Sequence, residues 1–549
     1  MFTNSLFNDF LAENGLRTVN DESTRDIICL EFNFGTRSYA QELEHLKKMA
    51  SAARLDYYKA AVAHDEYLMK KAENRRTKVN HLIERCIYNR KKFRPMSKED
   101  LRRMFYNEGA DVEYKYHKRD GTLKSREVIH YKMLFRSTGK AKKGEVMFIC
   151  DRLFEMARNF LYMGIKIPME NAKIVEMSAY APLVASGIVG RIKIDPKEIL
   201  ILEDVDREFI TNVVSVETDE NKHCVAKRIN NYTLANTMFD GQALIEDSIF
   251  PDWADGYILL RHHFTKVAAF RTRIQTFFRD YFGEDYENAK VKDCFGVEHY
   301  LKDVKLITTT NAVKWIKMGV SYDYWCDWVY ANGCNFGIVK TAHPSKLGRY
   351  QKMSYQMVNS LDPAIMPSVM KVTVDYVRAL KNDTEAFAEF LRRNKNFSND
   401  FEVLLALLDW NPDFARTDFF RERKTHIIFS YLMNVKNGEI MQDADNLTIV
   451  GSPYAMLLYA ATGDEKDCDL DPTFKQEFGT IQCYTGRFGD GEYLAGFRSP
   501  FNGKYNMSYL HNVYNEIWDK YFVFGNNIIA VNLNKTDHQD RNEAVVSFM

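Results

Sequence analysis

Phe239–Phe250 reads FDGQALIEDSIF, and Asp255–Phe270 follows with DGYILLRHHFTKVAAF. A strand, a tight Asp-Gly turn and another strand lead into a cluster of Arg261, His262, His263 and Lys266. Cations gathered at a strand end suit a triphosphate or a template phosphate, because fixed positive charge offsets the charge of the ligand. A solvated strand end explains the same spacing. The His-His pair does not read as a metal site, because adjacent residues on a strand point to opposite faces.

Outward from this block the pattern alternates between helix and strand. Gly35 to Arg94 reads as long helix, with no Pro or Gly between Gly35 and Pro95 and an apolar stripe of Leu43, Leu46, Met49, Ala53 and Tyr57. After Gly109 the period becomes two. Val112, Tyr114 and Tyr116 alternate with charged residues, Asp120-Gly121 turns the chain, and Val128-Ile129 return it. GIVGRIKI and EILIL in 187–202 read as strands. Ala268–Tyr281 and Asp375–Leu408 read as helix, and from His426 onward HIIFSYLM, NLTIV, GTIQCYT, EYLAGF and NNIIAVNL read as short strands.

The expected fold is therefore α+β and multi-domain, with a long N-terminal helical arm and two β-barrel-type modules joined by helical connectors. The expected domains are 1–110 (helical arm), 111–220 (β-rich slab), 221–375 (first barrel module), 376–425 (helical connector) and 426–549 (second barrel module, incomplete at its C-terminus). At roughly 100–200 residues per domain, the length is enough for several packed cores.

Lys plus Arg equals Asp plus Glu at 75 each in a chain of 549 residues. Nucleic-acid binding through a general positive field is thereby excluded, and contact must come from a local groove. The nine cysteines are scattered, with no C-x-x-C pair, which argues against a disulfide framework or zinc ribbon and for a reducing compartment. The acidic start MFTNSLFNDFLAENGLRTVNDE lacks the basic and apolar regions of a signal peptide, and no apolar run nears the ~20 residues of a membrane span. The expectation is a cytoplasmic protein with no membrane partner; composition gives no oligomeric state.

Four further constellations are candidates for chemistry. Gly337–Leu361 gathers Lys340, His343, Lys346, Arg349 and Lys352 around Pro344 and Gly348; lysine is a mobile point charge that follows a shifting phosphate, and a basic surface loop is the alternative. Asp467, Asp469 and Asp471 alternate, so an extended segment would put three carboxylates on one face for Mg²⁺, but no apolar flank holds them together, and a solvated loop reads better. Tyr493–Asn512 places Arg498, Asn502, Lys504, Asn506 and His511 among aromatics, which suits nucleotide or single-strand contact; an ordinary loop over a β-core is the alternative. Asp537, His538 and Asp540 follow the apolar run 528–533 and read only weakly as a hydrolase site.

Taken in order, these blocks resemble the cell-encoded RNA-dependent RNA polymerases of RNA silencing and their single-chain phage relatives. Where that family has Thr-Asp-Gly-x-Gly-x-Ile-Ser, this chain has Phe239-Asp240-Gly241-Gln242-Ala243-Leu244-Ile245. Where it has Arg-x-Gly-Gly-x-Lys-Gly, this chain has Arg261 and Lys266 without the two glycines. Pro344-Ser345-Lys346 looks like the family's Pro-Ser-x-x-Lys-Phe, Met353-Ser354-Tyr355-Gln356 like its Leu-Asn-x-Gln helix, and Asn437-Gly438-Glu439-Ile440 and Arg498-Ser499-Pro500 like its later turn elements. The run 528–533 looks like the approach to the family's Asp-x-Asp-Gly-Asp, which is expected just past Met549. The resemblance spans 129–549.

What the resemblance implies is a pair of double-psi β-barrels facing each other, the first offering lysines to phosphates and the second offering aspartates to Mg²⁺. Lys266, Lys346 and Lys340 would be the catalytic phosphate-binding lysines. Arg261, Arg349, Arg498, Asn502 and Lys504 would contact nucleotide or template, and no metal ligand lies in this chain. The implied activity is template-dependent RNA polymerisation from NTPs on RNA or DNA, inert without the aspartates, with Mg²⁺ in the full-length parent. The alternative from another class is a non-catalytic nucleic-acid-binding or interaction protein of a phage or mobile element, acting through the basic end of the helical arm (Arg85, Arg90, Lys91, Lys92, Arg94).

Overall fold

The computed structural model describes residues 4–19, 23–31, 38–88, 90, 100, 103–117, 123–136, 145–166, 171–220, 223–343, 347–352, 362–396, 399–497 and 507–534. They form a multi-domain α+β protein of helices and curled, mixed sheets, divided into two compact units: Phe7–Pro182, and Leu183–Met549 together with Asn4–Leu6. The division falls inside the stretch 111–220 read from sequence as one domain. No helix among the described residues is long and apolar enough to cross a membrane. All nine cysteines are free thiols.

In the first unit the helical arm is a hairpin rather than one rod. Helix α1 runs Tyr39–Val62 and helix α2 runs Glu66–Tyr88. Ser38 opens α1 with a reciprocal capping box to Gln41. Between the helices His64 takes a left-handed φ of 53°, and Asp65 accepts from the Leu68 amide to begin α2. Leu46, Ala53 and Ala60 are buried one heptad apart, and Ala72 and Val79 repeat that spacing on α2. Such small residues let two helices pack closely. The unit also holds a four-stranded antiparallel sheet, in which β1 (Ile27–Glu31), β2 (Ala110–His117), β3 (Leu123–Arg136) and β4 (Glu145–Cys150) stand in the order β1-β4-β3-β2. The expected 112–129 pairing is present, with Val112 opposite Ile129; the Asp120-Gly121 turn lies outside the described residues.

The second unit holds two curled sheets around one core. The first is seven-stranded, built from β5 (Gly190–Lys193), β6 (Ile199–Leu202), β9 (Gln242–Glu246), β10 (Tyr257–His262), β11 (Thr265–Thr272), β12 (Leu306–Thr309) and β13 (Asn335–Thr341), in the order β5-β13-β10-β11-β9-β12-β6. A separate two-stranded ribbon, β7 (Asp206–Thr218) and β8 (Cys224–Thr237), precedes β9. The Asp255-Gly256 turn does not join its flanking strands into a hairpin: β9 pairs in parallel with β11, and β10 pairs with the far side of β11. Gly256 has φ 61°, and a Cβ there would stand 2.1 Å from the Phe524 carbonyl, so this crossing requires glycine.

The second sheet is five-stranded, with β14 (Thr448–Gly451), β15 (Ile481–Tyr484), β16 (Tyr493–Phe497), β17 (Met507–Asn512) and β18 (Ile528–Val531) in the order β14-β18-β15-β17-β16. One core runs through both sheets, joining Leu244, Phe270 and Ile307 to Val450, Ile481, Leu510 and Ile528. Between the sheets in sequence lie helices α3 (Met366–Asn382), α4 (Thr384–Asn394), α5 (Phe401–Trp410) and α6 (Asp418–Lys436), packed on Leu380, Phe387, Leu391, Leu404 and Phe420. HIIFSYLM, expected as strand, lies inside α6. Thr417 caps that helix by accepting from the Phe420 amide, and Phe420, Ile427, Ile428 and Tyr431 recur at helical spacing, so the stripe overrides the apolar run. Asp375–Leu408, expected as one helix, is broken by the cap at Asp383 and again before Phe401.

Candidate functional site

Cross-strand partners share a face of a sheet. Arg261 on β10 stands opposite Lys266 on β11, and Leu259, two residues back, stands opposite both Ala268 on β11 and Lys340 on β13. Arg261, Lys266 and Lys340 therefore rise from one face of the first sheet. Gln242 on β9 stands opposite Ala268 and shares that face. Its amide clamps the second sheet: Nε2 donates to the Gly451 carbonyl at 3.0 Å, and Oε1 accepts from the Gly451 amide at 2.7 Å. The face bearing the cations is thus the one that meets β14.

The four residues of the predicted strand-end cluster differ in character. Lys266 is half-buried and Lys340 exposed. Arg261 is 8% exposed, donates from Nη1 to the Leu260 carbonyl, and has its pKa pushed down to about 10 by burial. No carboxylate among the described residues forms an ion pair with it. His262 is a correction to the cationic reading: burial pushes its pKa down to about 3, so the ring is neutral, packed against Phe336 at 4.8 Å. His263 is likewise buried, edge-on to Trp328. These two histidines are core.

Asp240, at the FDG turn, is the centre of a mixed cluster that sequence reasoning missed. Burial pushes its carboxyl above the usual range, Asp204 adds to the effect, and Lys314, Lys266 and Lys317 pull against it. Lys314 is brought there by its amide, which donates to the Phe264 carbonyl at 2.7 Å in the turn between β10 and β11. Asp204 is held by Thr310 Oγ1 and the Asn311 amide through Oδ2, while its buried Oδ1 has no hydrogen-bond partner among the described residues. The available signal was the pair Lys314 and Lys317, three apart just after the strand LITT.

Arg349 does not join this group: it is exposed and pairs with Asp443. Lys346, Arg498, Asn502 and Lys504 lie outside the described residues, as do Asp537, His538 and Asp540. Asp467, Asp469 and Asp471 diverge. Asp469 pairs with Arg207, and Asp471 is buried and accepts from the Thr473 amide and hydroxyl. No group of three or more His, Cys, Asp or Glu among the described residues is arranged to hold a metal ion. What the arrangement can do is bind an anion, with ammonium groups beside a partly buried carboxyl. No family model matches the sequence, and no curated protein matches it.

Proposed function

We propose that this chain is the phosphate-binding portion of a template-dependent RNA polymerase of the two-barrel type. The observation that carries the reading is the shared face of Arg261, Lys266 and Lys340, on the side of the sheet that clamps Gly451. Lys314 and Lys317 add charge beside Lys266 at Asp240. A triphosphate carries several negative charges, and ammonium groups on flexible stems can follow it as bonds rearrange. The reading assigns phosphate binding to these residues and metal-assisted transfer to aspartates outside the described residues.

Fluorescent NTP is titrated against the full chain and against Lys266→Ala, Lys314→Ala and, as a surface control, Lys371→Ala. Lys266→Ala and Lys314→Ala are expected to weaken binding about tenfold each, the loss of one charge-assisted contact. Lys371 is exposed, pairs with Asp375 one turn along its helix, and should have no effect. Equal affinity of all three variants and the parent chain would sink the phosphate assignment. Label incorporation on RNA or DNA template with Mg²⁺ or Mn²⁺ tests the polymerase reading itself, and a template-independent product rejects it.

A further inference from the structure

On the five-stranded sheet, β16 and β17 pair Tyr493 with His511 and Ala495 with Tyr509. Leu494 and Leu510 also pair and turn to the inner side, where Leu510 and Ser508 are buried. The opposite side carries a ladder of rings. Tyr493 stacks on His511 with centroids 4.5 Å apart and planes 8° apart, and on Tyr509 at 5.3 Å and 17°. Both tyrosines stay more than half exposed, at 55% and 54%. Neither phenol hydroxyl hydrogen-bonds a described residue.

The base of the ladder is anchored. His511 Nδ1 faces Glu477 at 3.0 and 2.9 Å, and Glu477 also accepts from Thr480 and Gln482. Glu477 is thus engaged by three side chains of its own sheet region, and the His511 ring is held parallel to Tyr493. Phe497 and Met507 continue this face past Ala495, but its exposed end is a run of three parallel, polar-tipped rings, a surface shaped for flat partners more than for an aliphatic ridge. A nucleobase continues such a series with the same offset contact, whatever its sequence, and unpaired bases are the ones free to do so.

We infer that Tyr493, Tyr509 and His511 form a stacking platform for the unpaired bases of single-stranded nucleic acid. The site needs no triphosphate and no lysine of the first sheet, so it stands or falls independently of the polymerase reading. Fluorescence anisotropy of short labelled oligo(dT), oligo(U) and a blunt duplex with the full chain tests it, using Tyr493→Ala, Tyr509→Ala and the ring-preserving Tyr493→Phe and Tyr509→Phe. Each alanine is expected to weaken both single strands about tenfold, and each phenylalanine to leave binding nearly unchanged. The slope of affinity against salt should not move, because stacking releases no counterions. Binding of single strands unaffected by the alanines, or a loss reproduced by the phenylalanines, or an equal dependence for the duplex, overturns the proposal. Circular dichroism of the phenylalanine and alanine variants, matched to the parent chain, separates lost stacking from lost fold.

Discussion

At Arg261 the chain holds a buried guanidinium with a backbone carbonyl as its only hydrogen-bond partner among the described residues. A base whose folded pKa lies below its ordinary value costs stability wherever it is charged in both states, here at every pH below about 10. Arg261→Met, which keeps the volume and drops the charge, is expected to leave the ligand-free protein as stable or more stable by about 1 kcal/mol or more in urea unfolding. The same variant should lose NTP affinity. Asp240 gives the complementary case. Its carboxyl is raised, first by burial and then by Asp204, so its cost is absent when both states are protonated and complete once pH passes the folded value. Asp240→Asn should therefore raise Tm at neutral pH and leave it unchanged at a pH acidic enough to protonate the carboxyl in both states. A rise of equal size at both would assign the effect to packing instead of charge. Sequence showed Arg261 and Lys266 as cations near a strand end, but not that one is buried and the other partly open. That distinction depends on which strands flank β10, and local spacing does not carry it.

The elements themselves were mostly legible, and the failures have identifiable causes. GIVGRIKI, EILIL, NLTIV and GTIQCYT gave strands because each is a short apolar run between turn residues. HIIFSYLM failed because eight residues are too few to separate a buried strand from one side of a helix; the deciding residues, Thr417 and Phe420, lie upstream. The break in the arm at His64 was missed because no Gly or Pro marks it, and Asp65 as a cap was the only sign. Lys314 escaped because it lies more than seventy residues from Asp240 in sequence, although its amide is bonded to the β10–β11 turn. The Gln242 clamp was also invisible, since it joins residues 242 and 451 far apart in sequence. It makes a firm element-scale prediction. Gln242→Leu leaves a buried donor and a buried acceptor of Gly451 unpaired, which should cost about 3 kcal/mol in denaturant unfolding with an unchanged m-value. Gly451→Ala should also destabilise, because a Cβ there would stand 2.4 Å from Leu533 Cδ1 and 2.8 Å from the Met238 carbonyl. If Gln242→Leu unfolds like the parent chain, the clamp contributes nothing to holding β14 against the first sheet.

For the whole molecule, sequence boundaries placed the two β modules in separate domains, 221–375 and 426–549, whereas the second unit packs both sheets on a common core. Leu244 and Phe270 share that core with Val450 and Ile528, and Phe277 of the first module lies edge-on to Tyr454 and Tyr521 of the second at 5.6 and 5.4 Å. Further backbone bonds cross between them: the Arg273 amide donates to the Tyr521 carbonyl and the Val523 amide to the Arg271 carbonyl. A domain in the thermodynamic sense needs a core of its own, and cutting this one would expose apolar surface on both halves. Residues 183–352 and 426–549 produced separately should therefore fail to fold, keeping secondary structure but losing near-ultraviolet circular dichroism, and should regain it on mixing. Residues 183–549 together should fold, with a Tm below that of the full chain, because they lack Asn4, which accepts from the Ile188 amide at 2.8 Å and from Arg191 at 2.8 Å. Calorimetry of residues 183–549 should show both sheets unfolding in one transition. Two well-separated transitions would mean that the shared core does not couple them, and the cationic face would then have no fixed relation to the second sheet.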